Sequence, residues 1–75
     1  MLEDVFSCPI SLEVMREPVV LEDGFTYEKA SIEGWFAAGH STSPMTNVEL
    51  ASLETFPNHV LRKLIGAYTD IKRAC

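Results

Sequence analysis

Cysteine is scarce in this chain, which has only two, Cys8 and Cys75, near its opposite ends. Secreted domains that depend on disulfides usually carry four or more cysteines at close spacing. Cys75 is the last residue of the sequence, and chain ends are usually mobile, so we do not expect a structural disulfide. Another source of stabilisation is needed for so small a domain.

Long apolar runs are missing as well. No run approaches the roughly 20 residues that a membrane-spanning helix needs, and the opening residues MLEDVFSC lack the basic and then apolar layout of a signal peptide. The 75 residues are 47% hydrophobic and 23% charged, which indicates one small folded domain and not a disordered tail. We expect a soluble intracellular protein, cytoplasmic or nuclear.

Basic charge is sparse in most of the chain, whose net charge is −5. Residues 1–54 hold ten of the eleven acids, whereas four of the six bases lie in the last fourteen residues. Nucleic-acid binding depends on clustered Lys and Arg, so the acidic part does not favour that function. It suits a basic protein partner through electrostatic steering, although the charge can also simply solvate the surface.

Turn residues and apolar spacing predict a hairpin followed by a short helix. The stretch VVLEDGFTY places two β-prone runs around Asp23 and Gly24, a pair that favours a tight turn. The stretch EKASIEGWFAAG then predicts one helix that ends near Gly39. The apolar side of that helix is formed by Ile32, Trp35 and Phe36.

A turn-rich segment, HSTSPMTNVEL, predicts a second loop before the last helix. That helix lies within TFPNHVLRKLIGAYTDIKRA, with Asn58 as its N-cap after Pro57. No internal repeat and no linker is evident, so we expect one domain over residues 1–75 with a core of about residues 5–70. The apolar stripe of the last helix, which we expect to pack mainly in the core, consists of Val60, Leu61, Leu64, Ile65, Tyr68 and Ile71.

In two segments of the chain, short polar side chains stand at the spacing that is typical of metal ligands. Cys8 and Ser11 form a first pair, and Ser43 and Thr46 form a last pair. A zinc-binding RING domain carries eight Cys or His ligands for two ions at corresponding positions. Among these ligand positions only Cys8 carries a thiol, so this chain cannot assemble two tetrahedral thiolate sites. The middle ligand positions are taken by Asp23, Phe25, Glu28 and Ser31.

These substitutes share polarity and a short reach. Such side chains can cross-link loops through hydrogen bonds to backbone N–H groups and to one another. Tyr27 and Lys29 are further candidate partners. We therefore predict that a hydrogen-bonded network replaces the metal, and that no cofactor is required. The predicted network consists of Cys8, Ser11, Asp23, Glu28, Ser31, His40, Ser43 and Thr46.

The chain resembles a U-box domain, the zinc-free relative of the RING domain in ubiquitin ligases. The resemblance covers nearly all of residues 5–70 in order and at the family's spacing. It implies a small α+β, RING-like fold in which two loops surround a β-hairpin, a central short helix and a C-terminal helix. The matching positions include Phe6, Cys8-Pro9-Ile10, Glu13, Met15, Pro18-Val19-Val20, residues 24–29, Ile32, Trp35, His40, residues 43–46, Leu50, Pro57-Asn58, Leu61, Lys63 and Ile65.

The resemblance implies a module of a longer protein that binds a ubiquitin-charged conjugating enzyme. Such a module promotes transfer to a substrate lysine by positioning, without a covalent intermediate. The substrate is bound by regions outside this chain. Two of the residues that the family uses for contact with the conjugating enzyme have an alternative role here. Trp35 also fits a core position, and Pro44 also fits a simple turn. The conjugating-enzyme-binding residues carried over from the family are Ile10, Leu12, Trp35 and Pro44.

Asn47 stands where many active relatives carry Arg or Lys, a cation that locks the closed state of the charged enzyme. Asn can still hydrogen-bond, but it is short and uncharged, so we expect weaker activation. A scaffold or homodimerisation module with little ligase activity is therefore the alternative. A catalytic thiol at Cys8 is disfavoured because no Cys–His spacing supports it. His40 fits a cap or network member, and His59 a solvated position.

Overall fold

The computed structural model describes residues 5–74, with side chains for residues 5–71. Strands β1 (Pro18–Val20), β2 (Thr26–Glu28) and β3 (Phe56–Pro57) form one antiparallel sheet in the order β2-β1-β3. Helix α1 (Lys29–Ala37) follows β2, and helix α2 (His59–Ala74) follows β3. Two helices on one small antiparallel sheet confirm the predicted α+β class. Cys75 lies outside the described residues.

The β1–β2 hairpin is confirmed, with Val19 opposite Tyr27. In its turn the Gly24 N–H donates to the Leu21 carbonyl at 3.0 Å, and Gly24 has a φ of +84°. The Phe25 N–H donates to Asp23 Oδ1 at 2.8 Å, as in an Asx turn. The Asp-Gly pair thus supplies both the local acceptor and the left-handed backbone that the turn needs.

Helix α1 begins directly after β2 and ends as predicted at a glycine. Gly39 has a φ of +99°, and its N–H donates to the Phe36 carbonyl at 3.0 Å. This left-handed backbone after the last turn is the arrangement that glycine permits most readily. The stop at Gly39 fixes where the chain turns toward the second loop.

The N-cap of α2 is also confirmed. Asn58 Oδ1 accepts the Leu61 N–H at 3.0 Å, and the Asn58 N–H donates to the Pro18 carbonyl at 2.9 Å. Strand β3 comes just before it and pairs Pro57 with Val19. The sequence did not predict β3, because a two-residue strand is too short to show an alternating pattern.

The core contains Phe6, Met15, Val19, Leu21, Tyr27, Ile32, Leu50 and Ile65, together with the thiol of Cys8. The expectation that the α2 stripe packs mainly in this core is wrong for half of its members. Ile65 is buried, and Leu61 and Tyr68 are partly buried against the core. The small sheet covers only one side of α2, and the other side exposes Val60, Leu64 and Ile71 by 71%, 53% and 67%.

Two features of the described residues concern metal binding and membrane insertion. Across the described side chains, no three His, Cys, Asp or Glu residues are grouped so that they could hold a metal ion. Neither α1 nor the described part of α2 is long and apolar enough to cross a membrane.

Candidate functional site

Two loops on the molecule are built in the same way. We define loop one as residues 7–14 and loop two as residues 42–49, each closed by an antiparallel bridge between its end residues. In loop one the Cys8 N–H donates to the Glu13 carbonyl at 2.9 Å and the Leu12 N–H donates to the Cys8 carbonyl at 2.8 Å. In loop two the equivalent bonds, from Ser43 to the Val48 carbonyl and from Asn47 to the Ser43 carbonyl, measure 2.9 and 2.8 Å.

Cys8 and Ser43 occupy the same place in the two loops, and both accept backbone N–H groups. Cys8 Sγ accepts the Ile10 N–H at 3.4 Å and the Glu28 N–H at 3.3 Å. Ser43 Oγ accepts the N–H groups of Met45 at 3.2 Å and Thr46 at 3.1 Å. Each buried side chain therefore organises the loop that follows it through its own acceptor atom.

The Cys8 thiol is fully buried and polarised by its surroundings. Burial by itself raises its pKa. Backbone N–H groups of Glu28, Ser11 and Ile10, together with the Ser11 hydroxyl, outweigh that effect and hold the pKa of Cys8 below its ordinary value. A thiol enclosed by backbone amides is a poor covalent nucleophile because a substrate cannot reach it. Its geometry suits a structural role.

Loop two is tied to the hairpin turn through Asp23. Asp23 Oδ2 accepts the Ser43 hydroxyl at 2.6 Å and the Tyr27 hydroxyl at 2.9 Å. Burial of Tyr27, partly offset by its hydrogen bond with Ser43 and reinforced by the Asp23 carboxylate, raises the pKa of Tyr27 to about 12. This network joins the hairpin, which carries Asp23 and Tyr27, to loop two, which carries Ser43, and it keeps the phenol protonated.

The segment between loop one and β1 is tied to the start of α1 through the Glu28 carboxylate. One Glu28 carboxylate oxygen accepts the Glu17 N–H at 2.8 Å, and both oxygens lie 3.2 Å from the backbone nitrogen of Arg16. Glu22 makes a similar connection after loop two, where its carboxylate accepts the N–H groups of Ala51 and Ser52. Glu22 is a cross-link that the sequence reasoning did not identify, because it does not match a ligand position.

The other predicted network residues make local contacts or none that join the loops. Ser11 Oγ accepts the Glu13 N–H at 3.4 Å, and Thr46 Oγ1 accepts the Val48 N–H at 3.3 Å. The His40 ring stacks on Trp35 with centroids 3.9 Å apart. In the described part of the chain, no hydrogen bond from the side chain of Ser31 or Lys29 joins this network.

Trp35 connects α1 to loop two. Its indole Nε1–H donates to the Thr42 carbonyl at 2.8 Å, and its ring packs partly against the core. Trp35 thus contributes to packing while remaining half-buried, and Pro44 in loop two is half-buried as well. The core alternative for Trp35 is confirmed in part, and its contact with a conjugating enzyme stays a prediction.

Apolar side chains project from the ends of both loops. Ile10 is 36% exposed and Leu12 is 79% exposed in loop one. Met45, which occupies in loop two the place of Ile10, is 49% exposed, and Val48 is 63% exposed. The sequence reasoning missed Met45 and Val48, although Met45 follows Pro44 just as Ile10 follows Pro9.

One residue in each loop has a left-handed backbone. Leu12 has a φ of 61° and Asn47 a φ of 62°. Asn adopts this conformation several times more readily than most residues, whereas for Leu it is unfavourable. Because the Leu12 side chain is so exposed, it gains little within the fold in return for this strain. Packing inside the fold therefore does not account for the strained backbone of Leu12.

The arrangement is an exposed surface formed by the two loops and α1. It presents two rigid loops with apolar tips beside a tryptophan, which is the composition of a small protein-binding surface. The predicted docking residues Ile10, Leu12, Trp35 and Pro44, with Asn47, all belong to these loops or to α1.

Comparison with known proteins gives a consistent result. A family model described as the U-box domain matches residues 3–74. U-box domain-containing protein 20 of Arabidopsis thaliana is 50% identical over 63 residues, which cover 84% of this chain and 15% of that protein. Putative U-box domain-containing protein 55 of the same plant is 60% identical over 60 residues, covering 80% of this chain and 11% of that protein.

E3 ubiquitin-protein ligase SPL11 of Oryza sativa subsp. japonica is 46% identical over 69 residues, which cover 92% of this chain and 10% of that protein. The chain therefore spans only a small part of the length of these relatives. The match over residues 3–74, on a fold with paired loops around a hairpin and two helices, shows that the chain belongs to the U-box domain family.

Proposed function

We propose that this chain is the ubiquitin-ligase module of a longer U-box protein. It binds a ubiquitin-conjugating enzyme that carries ubiquitin as a thioester. The amine of a substrate lysine then attacks the thioester carbonyl, an isopeptide bond forms, and the thiol of the conjugating enzyme is released. Regions outside this chain bind the substrate. The intracellular setting of this chemistry, in the cytoplasm or nucleus, is part of the proposal.

The observation that carries this proposal is the matched pair of loops with exposed apolar tips. Ile10 and Leu12 on loop one, and Pro44 with Met45 on loop two, offer a few apolar anchors beside Trp35. Small transient interfaces gain most of their free energy from such anchors. The strained, exposed Leu12 supports the same role. A family relative named as an E3 ubiquitin-protein ligase supports the reaction class.

The module contributes positioning and no covalent step. Cys8 is buried, so it cannot accept ubiquitin. The rate gain comes from holding the charged enzyme in an attack-ready arrangement. Asn47 stands at the position that contacts both ubiquitin and the enzyme in relatives with a cation there. Its uncharged amide forms weaker hydrogen bonds than a guanidinium, so activation is weaker than with Arg.

The hydrogen-bonded network replaces zinc in this proposal. Cys8, Asp23, Glu28 and Ser43 connect the loops, the hairpin and the start of α1. We expect no stoichiometric zinc by metal analysis and no unfolding on chelation. Equimolar bound zinc would contradict this part of the proposal.

The test is the discharge of thioester-linked ubiquitin from a panel of conjugating enzymes with chelator present. We expect acceleration by the wild-type chain, a loss of at least tenfold in Ile10→Ala, and a gain in Asn47→Arg. Phe25→Ala, an exposed apolar change in the hairpin turn, serves as the control and should retain activity.

A scaffold module is the second candidate. The left-handed φ of Asn47 favours it, because Asn suits that backbone without any role in transfer. A well-folded chain that binds no charged enzyme and accelerates discharge from none would support the scaffold function instead.

A further inference from the structure

Met15 and Met45 differ sharply in their access to solvent. Met45, in loop two, is 49% exposed, whereas Met15 lies in the core and is 2% exposed. Because an oxidant must reach the sulfur of a thioether, an exposed methionine reacts before a buried one. Of these two methionines, the fold therefore offers Met45 to an oxidant in solution and protects Met15. Met1, the third methionine of the chain, lies outside the described residues.

The fold does not depend on the side chain of Met45. Among the described residues, the core and the side chains packed against it do not include Met45. The backbone N–H of Met45 donates to Ser43 Oγ at 3.2 Å, so this part of loop two is held by Ser43 and not by the thioether. A chemical change at the Met45 sulfur therefore leaves this hydrogen bond in place. The same change at Met15 would disrupt the packed core.

Met45 is also one of the apolar anchors of the proposed docking surface. It follows Pro44 in loop two as Ile10 follows Pro9 in loop one. Oxidation to the sulfoxide keeps the length of the side chain but replaces its apolar thioether with a polar, chiral group. A polar group that is buried at an interface without a hydrogen-bond partner costs binding free energy. Oxidation of Met45 therefore weakens docking while the domain stays folded.

We propose that Met45 is a reversible oxidation site that controls docking of the conjugating enzyme, an inference that rests on the proposed function. The oxidant is a peroxide. A lone pair of the Met45 sulfur attacks one oxygen of hydrogen peroxide, an S–O bond forms and the O–O bond breaks. The departing hydroxide takes the proton from the transferred oxygen and becomes water. The sulfur is oxidised and the peroxide is reduced.

The reverse step restores the thioether. Methionine sulfoxide reductases use thiol electrons to reduce the sulfoxide, whose oxygen leaves as water. One enzyme acts on each of the two sulfoxide epimers, so both are needed for complete repair. The exposure of Met45 gives these enzymes access to it as well.

The first measurement compares the rates of oxidation within the folded chain. The 75-residue chain is treated with dilute hydrogen peroxide, and catalase stops the reaction at successive times. Peptide mass spectrometry should show that Met45 is oxidised at least about tenfold faster than Met15. Circular dichroism of the oxidised chain should match that of the untreated chain, because the core is unchanged.

The second measurement is the discharge of thioester-linked ubiquitin by the oxidised chain. After catalase, dithiothreitol restores oxidised thiols but not methionine sulfoxide, and both reagents are removed before the conjugating enzyme is added. Discharge at subsaturating concentrations of the chain should be about tenfold slower than with untreated chain, because an anchor is lost. Treatment with both sulfoxide reductases should restore the original rate.

Two variants isolate the effect of Met45. Met45→Leu keeps an apolar side chain of similar volume and removes the sulfur. It should be as active as untreated wild type both before and after peroxide, although it retains Met1, Met15 and both cysteines. Met45→Gln places a polar group in loop two without any oxidation, and it should be as slow as the oxidised chain.

Several results would overturn the proposal. Equal rates of oxidation at Met45 and Met15 would exclude selective modification. Undiminished discharge by the oxidised wild type, or equal loss in Met45→Leu after peroxide, would exclude control through Met45, as would full activity of Met45→Gln. Failure of the proposed function is recognised separately, because untreated wild type then accelerates discharge from no enzyme; the control by oxidation falls with it.

Discussion

Leu12 and Asn47 occupy equivalent places in the two loops and share the same left-handed backbone. The two loops differ in what the side chain can gain there. Asn tolerates this conformation, whereas Leu pays a cost of roughly 1–2 kcal/mol that its exposed side chain does not recover inside the domain. In the proposed function, this strain is offset when the conjugating enzyme binds Leu12.

Leu12→Asn separates stability from binding. We expect the free energy of unfolding to rise by about 1 kcal/mol, because the strain at residue 12 is relieved. Affinity for the conjugating enzyme should fall by about tenfold or more, because an apolar anchor is lost. Urea denaturation and titration calorimetry measure the two effects. The reciprocal change, Asn47→Leu, should destabilise the chain; a Leu12→Asn variant that loses stability would refute this interpretation.

Tyr27 gives a pH-dependent prediction. Its pKa is raised from 10.0 to about 12 in the folded chain, so the folded state holds the phenol proton more tightly than the unfolded state does. This contribution to stability is complete below the unfolded pKa and is lost as pH rises through the folded pKa. Between those values the free energy of unfolding should fall by up to about 1.4 kcal/mol per pH unit from this group.

Tyr27→Phe removes that dependence. At neutral pH it should cost about 1 kcal/mol, because Asp23 loses one hydrogen-bond donor. Urea denaturation from about pH 9 to about pH 12 should show a shallower decline than wild type. Ser41→Ala, which keeps Tyr27 and its Asp23 partner, should keep the wild-type decline. Parallel curves for wild type and Tyr27→Phe would exclude a titrating phenol at this position.

At the scale of elements, the sequence was sufficient to predict a turn or a helix end wherever neighbouring residues alone determine it. The Asp23–Gly24 turn, the stop at Gly39 and the Asn58 cap each depend on residues within a few positions, and all three were predicted. Strand β3 was not, because its pairing with β1 is set by the rest of the fold.

The same limit applies to the site. The polar positions of both loops could be identified from their spacing, but their partners could not. The link between Asp23 and Ser43 joins residues far apart in sequence, as does the link between Cys8 and Glu28. The exposure of Leu64 was not predicted, because the apolar residues on its side of α2 follow the same spacing as those on the buried side. Spacing alone does not say which side of the helix a small sheet covers.

Glu28 joins two elements, which makes it sensitive to substitution. Glu28→Ala removes a charged acceptor of the Arg16 and Glu17 N–H groups, and we expect a loss of about 2 kcal/mol in the free energy of unfolding. Glu33→Ala, on the exposed side of α1, should change stability by no more than about 0.5 kcal/mol. Denaturant titrations compare the two. Equal effects would mean that the Glu28 carboxylate bonds to the Arg16 and Glu17 N–H groups do not stabilise the fold.

At the scale of the whole molecule, a small core is extended by hydrogen bonds that tie each loop to the hairpin. Ser43 contributes one donor and accepts two backbone N–H groups while being 1% exposed. Ser43→Ala should lower the free energy of unfolding by about 2–3 kcal/mol, because buried groups lose their partners. Thermal denaturation measures this loss.

Ser41→Ala is the matched control, because Ser41 bonds an exposed carboxylate of Glu49. We expect it to cost less than about 1 kcal/mol. Ser43→Ala should also slow ubiquitin discharge more than Ser41→Ala does, since loop two loses its shape. A Ser43→Ala variant with wild-type stability would mean that the hydrogen-bonded network does not hold the loops in place.

The most direct test of the proposed docking surface is an NMR titration of the isotope-labelled chain with a conjugating enzyme. We predict that the perturbed resonances centre on Ile10 and Leu12, on the Trp35 indole, and on Met45 and Asn47, with the exposed α2 residues Val60 and Leu64 unaffected. Perturbations confined to α2, or none with any enzyme in the panel, would contradict the assignment of loop one and loop two as the binding site for the conjugating enzyme.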